Sequence, residues 1–398
     1  MKRISGRVPA IDSLRGLAAV YVMFYHMTLI PNPALQVPDW ASPIVMTGGT
    51  GVTLFFVTSA FSLCLAARPG EERGQALAAF AARRFFRIAP LFYAVLVVSL
   101  LRDTWLFSAD HSPGIIAANA AFVFNLLPGQ ETGIVWASWT IGVEMLFYAV
   151  FPFLLVRAET VLQAAVLVLI TLLIARAYPE FMLRLPLSQA ARDSQNQWTV
   201  LRHLPVFAFG ILIYRIYDRL FDRGPPPRAA GVALLLGAVY FYMSMLAGGL
   251  GKGLLHDSYY WQAVIFGAII LGVVIYPASL IVNRATLHLG KISYSLYLIH
   301  PLVVFALTPF YRTVEAQGWV RTVSFGLCAI VTVGTVTAIA TLTHALIEQP
   351  GMRLGSYLIR RLIYGAHQAA HHPVTVPGES SPNMATHEAV NQEGSRTA

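Results

Sequence analysis

Long apolar runs separated by short polar connectors dominate the chain from residue 13 to residue 347. Eleven runs stand out, near 13–30, 50–67, 85–101, 113–127, 139–156, 159–178, 200–217, 229–247, 260–281, 287–308 and 322–347. Crossing a bilayer as an α-helix takes about 20 apolar residues, and most of these runs approach that length. The pattern predicts an all-α polytopic membrane protein. The fourth run, "PGIIAANAAFVFNLLP", is short and closed by proline at both ends, so it reads as an interfacial or re-entrant segment.

Charge fixes the expected orientation. Only 12% of the 398 residues are charged, against roughly a quarter in an ordinary soluble domain, and the mean hydropathy is +0.61. The 28 Lys+Arg exceed the 19 Asp+Glu, but the excess lies between the runs and reads as topology, with no nucleic-acid partner. With ten spans and a cytoplasmic N-terminus, 19 basic residues fall inside, 8 outside, and Arg15 lies within the first span. This asymmetry predicts about ten transmembrane helices with both termini cytoplasmic. The first run retains Arg15 and His26 and lacks a small-residue cleavage site, unlike a cleaved signal peptide.

A membrane domain is expected over residues 1–355. A cytoplasmic tail should follow over 356–398, polar and disordered from about 366. "HQAAHHP" in that tail reads as solvated, without a scaffold for metal. Cys64 and Cys328 lie inside apolar runs without metal-ligand spacing and read as packing residues. No metal site is expected.

Ionisable residues inside the apolar runs are the candidate chemistry, because such groups are expensive in a membrane. In "IDSLRGLAAVYVMFYH", Arg15 and His26 are eleven residues apart. On a helix they share a face and lie about 16 Å apart along it. An arginine at a membrane mouth suits an anion, and a deep histidine suits proton transfer. Asp12, one turn before Arg15, can support it. The same residues also fit a snorkelling arginine and a histidine bonded to a neighbouring helix. "FAARRFFRIAPLFY" places Arg83, Arg84 and Arg87 at the entry of the third span, with Arg84 and Arg87 on one face. They can anchor topology, or join Arg15 around a phosphate-rich ligand. Glu144 in "WASWTIGVEMLFY" must pair, stay protonated or line water. "LGKISYSLYLIHP" carries Tyr294 and a second intramembrane histidine, His300.

Together these segments resemble the acyltransferase-3 family of bacterial integral-membrane acyltransferases. "IDSLRGLAAVYVMFYH", "GVTLFFVTSAFSL", "RRFFRIAPLFY", "WTIGVEMLFY", "LGKISYSLYLIHP" and "IEQPGMRLG" are similar to its motifs, in order, between about Arg7 and Gly355. The resemblance implies transfer of an acyl group, commonly acetyl, from cytoplasmic acyl-CoA to a glycan on the other face of a bacterial inner membrane. It carries catalytic importance onto Arg15 and His26, and donor binding onto Arg84 and Arg87. The chain departs from the family at Thr53, often acidic there, at Ser59–Ala60 for Ser-Gly, and at Met145 for a second glutamate.

An O-acyltransferase would use His26 as general base, with Glu144 or Asp12 orienting the site and His300 as the next candidate base. Arg83 completes the donor-binding set, and Tyr294 and Ser59 are further candidates. Its partners would be a glycan or lipid-linked saccharide such as an exopolysaccharide, membrane lipid, and polysaccharide-biosynthesis proteins. The alternative is a transporter or flippase for an anionic glycan or lipid. That alternative predicts inverted repeats, and none is evident.

Overall fold

The computed structural model describes residues 8–67, 73–248 and 258–364. Among these there is no strand. Among the described residues, ten long helices form the bundle: α1 (Pro9–Leu29), α2 (Gly51–Ala66), α3 (Arg73–Phe107), α4 (Trp139–Arg157), α5 (Val161–Met182), α6 (Val200–Asp222), α7 (Arg228–Leu246), α8 (Ser258–Ile275), α9 (Ser293–Glu315) and α10 (Arg321–Thr343). Among the described residues, nine helices are long and apolar enough to cross a membrane, α2 to α10 with their continuations. The tail expected to be disordered from about 366, and its histidines, lie outside the described residues.

The tenth, α1, is long enough to span but too polar to count with the nine. Its position explains this. It packs against α2, α8, α9 and the short helix Arg284–Lys291, and buries Ala18, Ala19, Val22, Met23 and Met27. A helix ringed by protein need not be apolar on every side.

Three segments differ from the pattern-based bounds for identifiable reasons. First, the run at 113–127 forms only Pro113–Ala120 and the single turn Phe124–Leu126. Eight residues rise about 12 Å, too little to cross. Second, the run at 287–308 is split. Asn283 caps Arg284–Lys291 by accepting from the Ala285 and Thr286 amides, and α9 starts afresh at Ser293. Third, α10 continues past 347. Its wide π turn His344–Glu348 leads into Gln349–Leu358. Pro350 lacks an N–H and its ring crowds the carbonyl four residues back, so a widened turn lets the helix carry on.

Glycine lets one of these segments, the split run at 287–308, close on the bundle. A Cβ at Gly290 would sit 2.1 Å from the Asp12 carbonyl oxygen, and one at Gly16 would sit 2.5 Å from the Gly290 amide nitrogen. Backbone-to-backbone contact at this crossing brings the start of α9 against α1.

Candidate active site

The first cluster forms where α1 begins, the near end of the bundle. Glu144 of α4 accepts a hydrogen bond from Ser59 Oγ of α2 at 2.5 Å and another from the Tyr148 hydroxyl one turn along its own helix. Glu144 therefore pairs within the protein, as a carboxylate in an apolar helix must. Arg84 of α3 lies over the rings of Phe80 and Tyr148, with its guanidinium carbon 5.6 and 5.7 Å from their centroids. Arg15 feels the charges of Arg87, Glu144 and Asp12. Arg84 feels those of Arg87, Arg15 and Glu144. Arg15, Arg84, Arg87 and Glu144, from three separate motifs, thus occupy one neighbourhood. The Nε atoms of Arg15 and Arg84 are buried without a hydrogen-bond partner among the described residues. Arg83, next to Arg84 in sequence, is exposed.

Buried guanidinium donors that lack acceptors are seldom left so in a native protein. Two of the three neighbouring arginines thus keep an unpartnered buried Nε among the described residues, and planar guanidinium forks are suited to phosphate oxygens. Tyr294 donates to the Ile88 carbonyl at 2.7 Å. It ties α9 to α3 one residue beyond Arg87, which makes it a positioning contact.

The second cluster lies deeper. The rings of His26 and His300 meet edge to face, with centroids 4.8 Å apart. His26 Nδ1 lies 2.9 Å from the Val22 carbonyl oxygen, and His300 Nδ1 lies 2.5 Å from that of Tyr297. A carbonyl only accepts, so both Nδ1 atoms carry the proton, and in the neutral rings each Nε2 keeps a lone pair. His300 is fully buried, and its Nε2 has no partner among the described residues. His26 is only partly buried, so it is the less enclosed of the two imidazoles. Tyr297 packs on His300 at 5.5 Å, accepts from Thr140 and donates to the Ala137 carbonyl.

The departures from the family pattern have local explanations. Thr53 donates to Gln262 of α8 at 2.7 Å, a helix-to-helix bond that an acidic side chain would not donate. Ala60 is fully buried against Gly210, where an added Cβ would lie 2.7 Å from the Ala60 methyl. The small partner at this crossing is supplied by α6 instead of α2. Met145 packs at the core's edge.

Glu348 and His203 are among the buried groups that the sequence motifs did not single out. Glu348, in the π turn, accepts from Ser295 Oγ at 2.9 Å and lies 2.9 Å from His344 Nδ1. The glutamate in "IEQPGMRLG" was its signal. His203 of α6 meets the Tyr259 hydroxyl at 2.5 Å and packs on Trp139. A lone histidine in "LRHLP" carried no spacing that could single it out. Among the described residues, no cluster of His, Cys, Asp and Glu could hold a metal ion.

Comparison with known proteins places the chain in a family. A family model described as an acyltransferase domain matches residues 8–341. Nodulation protein 10 of Rhizobium leguminosarum bv. viciae is 26% identical over 391 residues, covering 90% of this chain and 96% of that protein. The peptidoglycan O-acetyltransferase OatA of Listeria monocytogenes is 25% identical over 374 residues. That alignment covers 86% of this chain but only 55% of the longer relative. A protein of Acidianus two-tailed virus named as an acetyltransferase is 23% identical over 308 residues, covering 74% of this chain and 83% of that protein. No solved structure gives a significant match.

Proposed function

The chain belongs to the acyltransferase-3 family, and from that premise we propose that it O-acylates a glycan, using acyl-CoA held at the near end of the bundle. Acetyl is the acyl group we favour, since one relative is named as a peptidoglycan O-acetyltransferase. The near end would face the cytoplasm of a bacterial inner membrane, with both termini on that side, as the distribution of Lys and Arg supports.

One observation carries the reading. Arg15 and His26 stand on one face of α1, about 16 Å apart along its axis, each within a separate cluster suited to one half of the reaction. Arg15, Arg84 and Arg87 would bind the phosphates of CoA, with Glu144 and Asp12 holding Arg15 in place. The pantetheine arm would then run along α1 towards His26. A long donor of this kind lets the acyl group reach the far side while CoA stays on its own.

At His26 the acceptor hydroxyl would donate its proton to the free Nε2 as its oxygen attacks the thioester carbonyl. The C–O bond forms, the C–S bond breaks, and the proton on the imidazole passes to the departing sulfur. A positioned base of this kind contributes about 10² to 10⁴ in rate. His300, with its own Nε2 lone pair, would share the proton while His26 is charged. The family match favours this enzyme over a transport pathway.

Mass spectrometry of envelope and exported glycans from a deletion strain tests the reading. The expected result is the loss of one acyl mass, 42 Da for acetyl, restored by the parental gene and not by a His26→Ala allele. An unchanged glycan profile would overturn it.

A further inference from the structure

A third group of buried charges stands apart from both clusters, at the far end of α3. Arg102 and Asp103 are only 6% and 7% exposed. Arg102 donates through Nε and Nη2 to one carboxylate oxygen of Asp103, at 2.8 and 2.6 Å. The other Asp103 oxygen lies 2.9 Å from His111 Nε2. The Arg102 guanidinium carbon lies 3.9 Å from the centroid of the Trp136 ring. Held on one edge by a carboxylate and on one face by an indole, the guanidinium has little freedom to move. Its remaining nitrogen, Nη1, is buried and has no hydrogen-bond partner among the described residues.

A fixed, buried, charged donor without an acceptor calls for an explanation. Its place in the bundle supplies one. Trp136 and Phe107 both pack on Phe305 of α9, at 5.4 and 5.8 Å. Phe305 is five residues beyond His300 on the same helix, a rise of about 7.5 Å. Phe107 is 48% exposed, so the aromatic rim is open on one side. Along the axis of α9 the Arg102 group therefore lies outward of the imidazole pair, the direction from which the proposed acceptor would approach.

We propose that Arg102 and its aromatic rim form a positioning subsite for an uncharged sugar ring of the acceptor, next to the ring that is acylated. This rests on the glycan reading above. Asp103 already balances the charge of Arg102, so the site does not ask for an anion. Nη1 offers N–H groups to a hydroxyl or amide carbonyl oxygen, while Phe107 and Phe305 offer apolar area to a sugar face. A few fixed polar donors among aromatic walls is the usual make-up of a small-ligand site. His111 keeps the second Asp103 oxygen occupied, so that the carboxylate continues to orient Arg102.

The test titrates the purified full chain with an N-acetylglucosamine tetramer, an uncharged probe bearing amide carbonyls, with a uronate tetramer, and with CoA. The parent should bind the uncharged tetramer in preference to the uronate. Arg102→Gln should weaken that binding at least tenfold and raise KM for the saccharide more than it lowers kcat. Arg102→Lys, which keeps the cation and loses the fork, should fall between. CoA affinity within twofold of the parent shows that each variant is folded. Equal saccharide binding by parent and Arg102→Gln would overturn the subsite alone, as would a parental preference for the uronate. A parent that binds CoA and neither saccharide would sink the glycan reading and the subsite with it.

Discussion

His26 and His300 come from helices that begin 284 residues apart, yet their rings meet at 4.8 Å and each is locked by a carbonyl of its own helix. The lock leaves a free Nε2 lone pair on each ring, one less enclosed and one fully buried. This division is why we propose proton abstraction at His26 and support from His300.

The two substitutions should therefore be unequal and non-additive. His26→Ala is expected to lower acyl transfer by about 10³ or more, and His300→Ala by about 10- to 100-fold, within the span of a positioned base. The double variant should be little worse than His26→Ala, because residues acting as one unit do not add. Thiol release from acyl-CoA with a saccharide acceptor measures all three. Additive losses, or a His300→Ala defect larger than that of His26→Ala, would reverse the assignment.

The arginine cluster predicts a defect in donor binding. Hydrogen bonds to charged groups contribute about 1.5–3 kcal/mol each, so Arg84→Ala or Arg87→Ala should weaken CoA binding by about 10- to 100-fold. Lysine should rescue only part, since it presents a point charge in place of a fork. Arg83→Ala, at an exposed position, should change CoA affinity by less than threefold. Calorimetric titration of the purified variants with CoA checks the series. Equal affinity in the Arg84/Arg87 double variant would reduce the cluster to a topology anchor.

Much of this arrangement was legible in the sequence, for physical reasons that also mark the limits. The apolar runs report lipid exposure directly, so the long helices fell close to their expected places. Arg15 and His26 could be placed on one face because both lie on one helix of fixed pitch. The meeting of His26 with His300 could not be read, because it depends on how α9 crosses α1. The same holds for the pairing of Glu144 with Ser59 of α2, whereas its other partner, Tyr148, lies one turn along its own helix. The helical continuation of α10 was missed because Pro350 reads as a stop, while a π turn lets the chain pass it.

The crossing of α9 on α1 gives the remaining prediction. Gly290 lies in the last turn of the helix Arg284–Lys291, which leads into α9, and a Cβ there would lie 2.1 Å from the Asp12 carbonyl oxygen and 2.5 Å from its carbon. These are backbone atoms, so no side-chain rotation relieves the clash and one helix must move. Overpacking of this kind commonly costs about 1–3 kcal/mol. The movement would displace Asp12, one turn from Arg15, and carry α9 with His300 away from His26. Gly290→Ala should thus lower acyl transfer at least tenfold, with loss of CoA affinity as Arg15 shifts, while the protein still purifies as a folded species of lower Tm. Gly326→Ala is the matched control on α10, since a Cβ there meets nothing within 4 Å, and it should match the parent in both Tm and turnover. If Gly290→Ala also matched the parent in both, the close crossing would not be what holds the two histidines together.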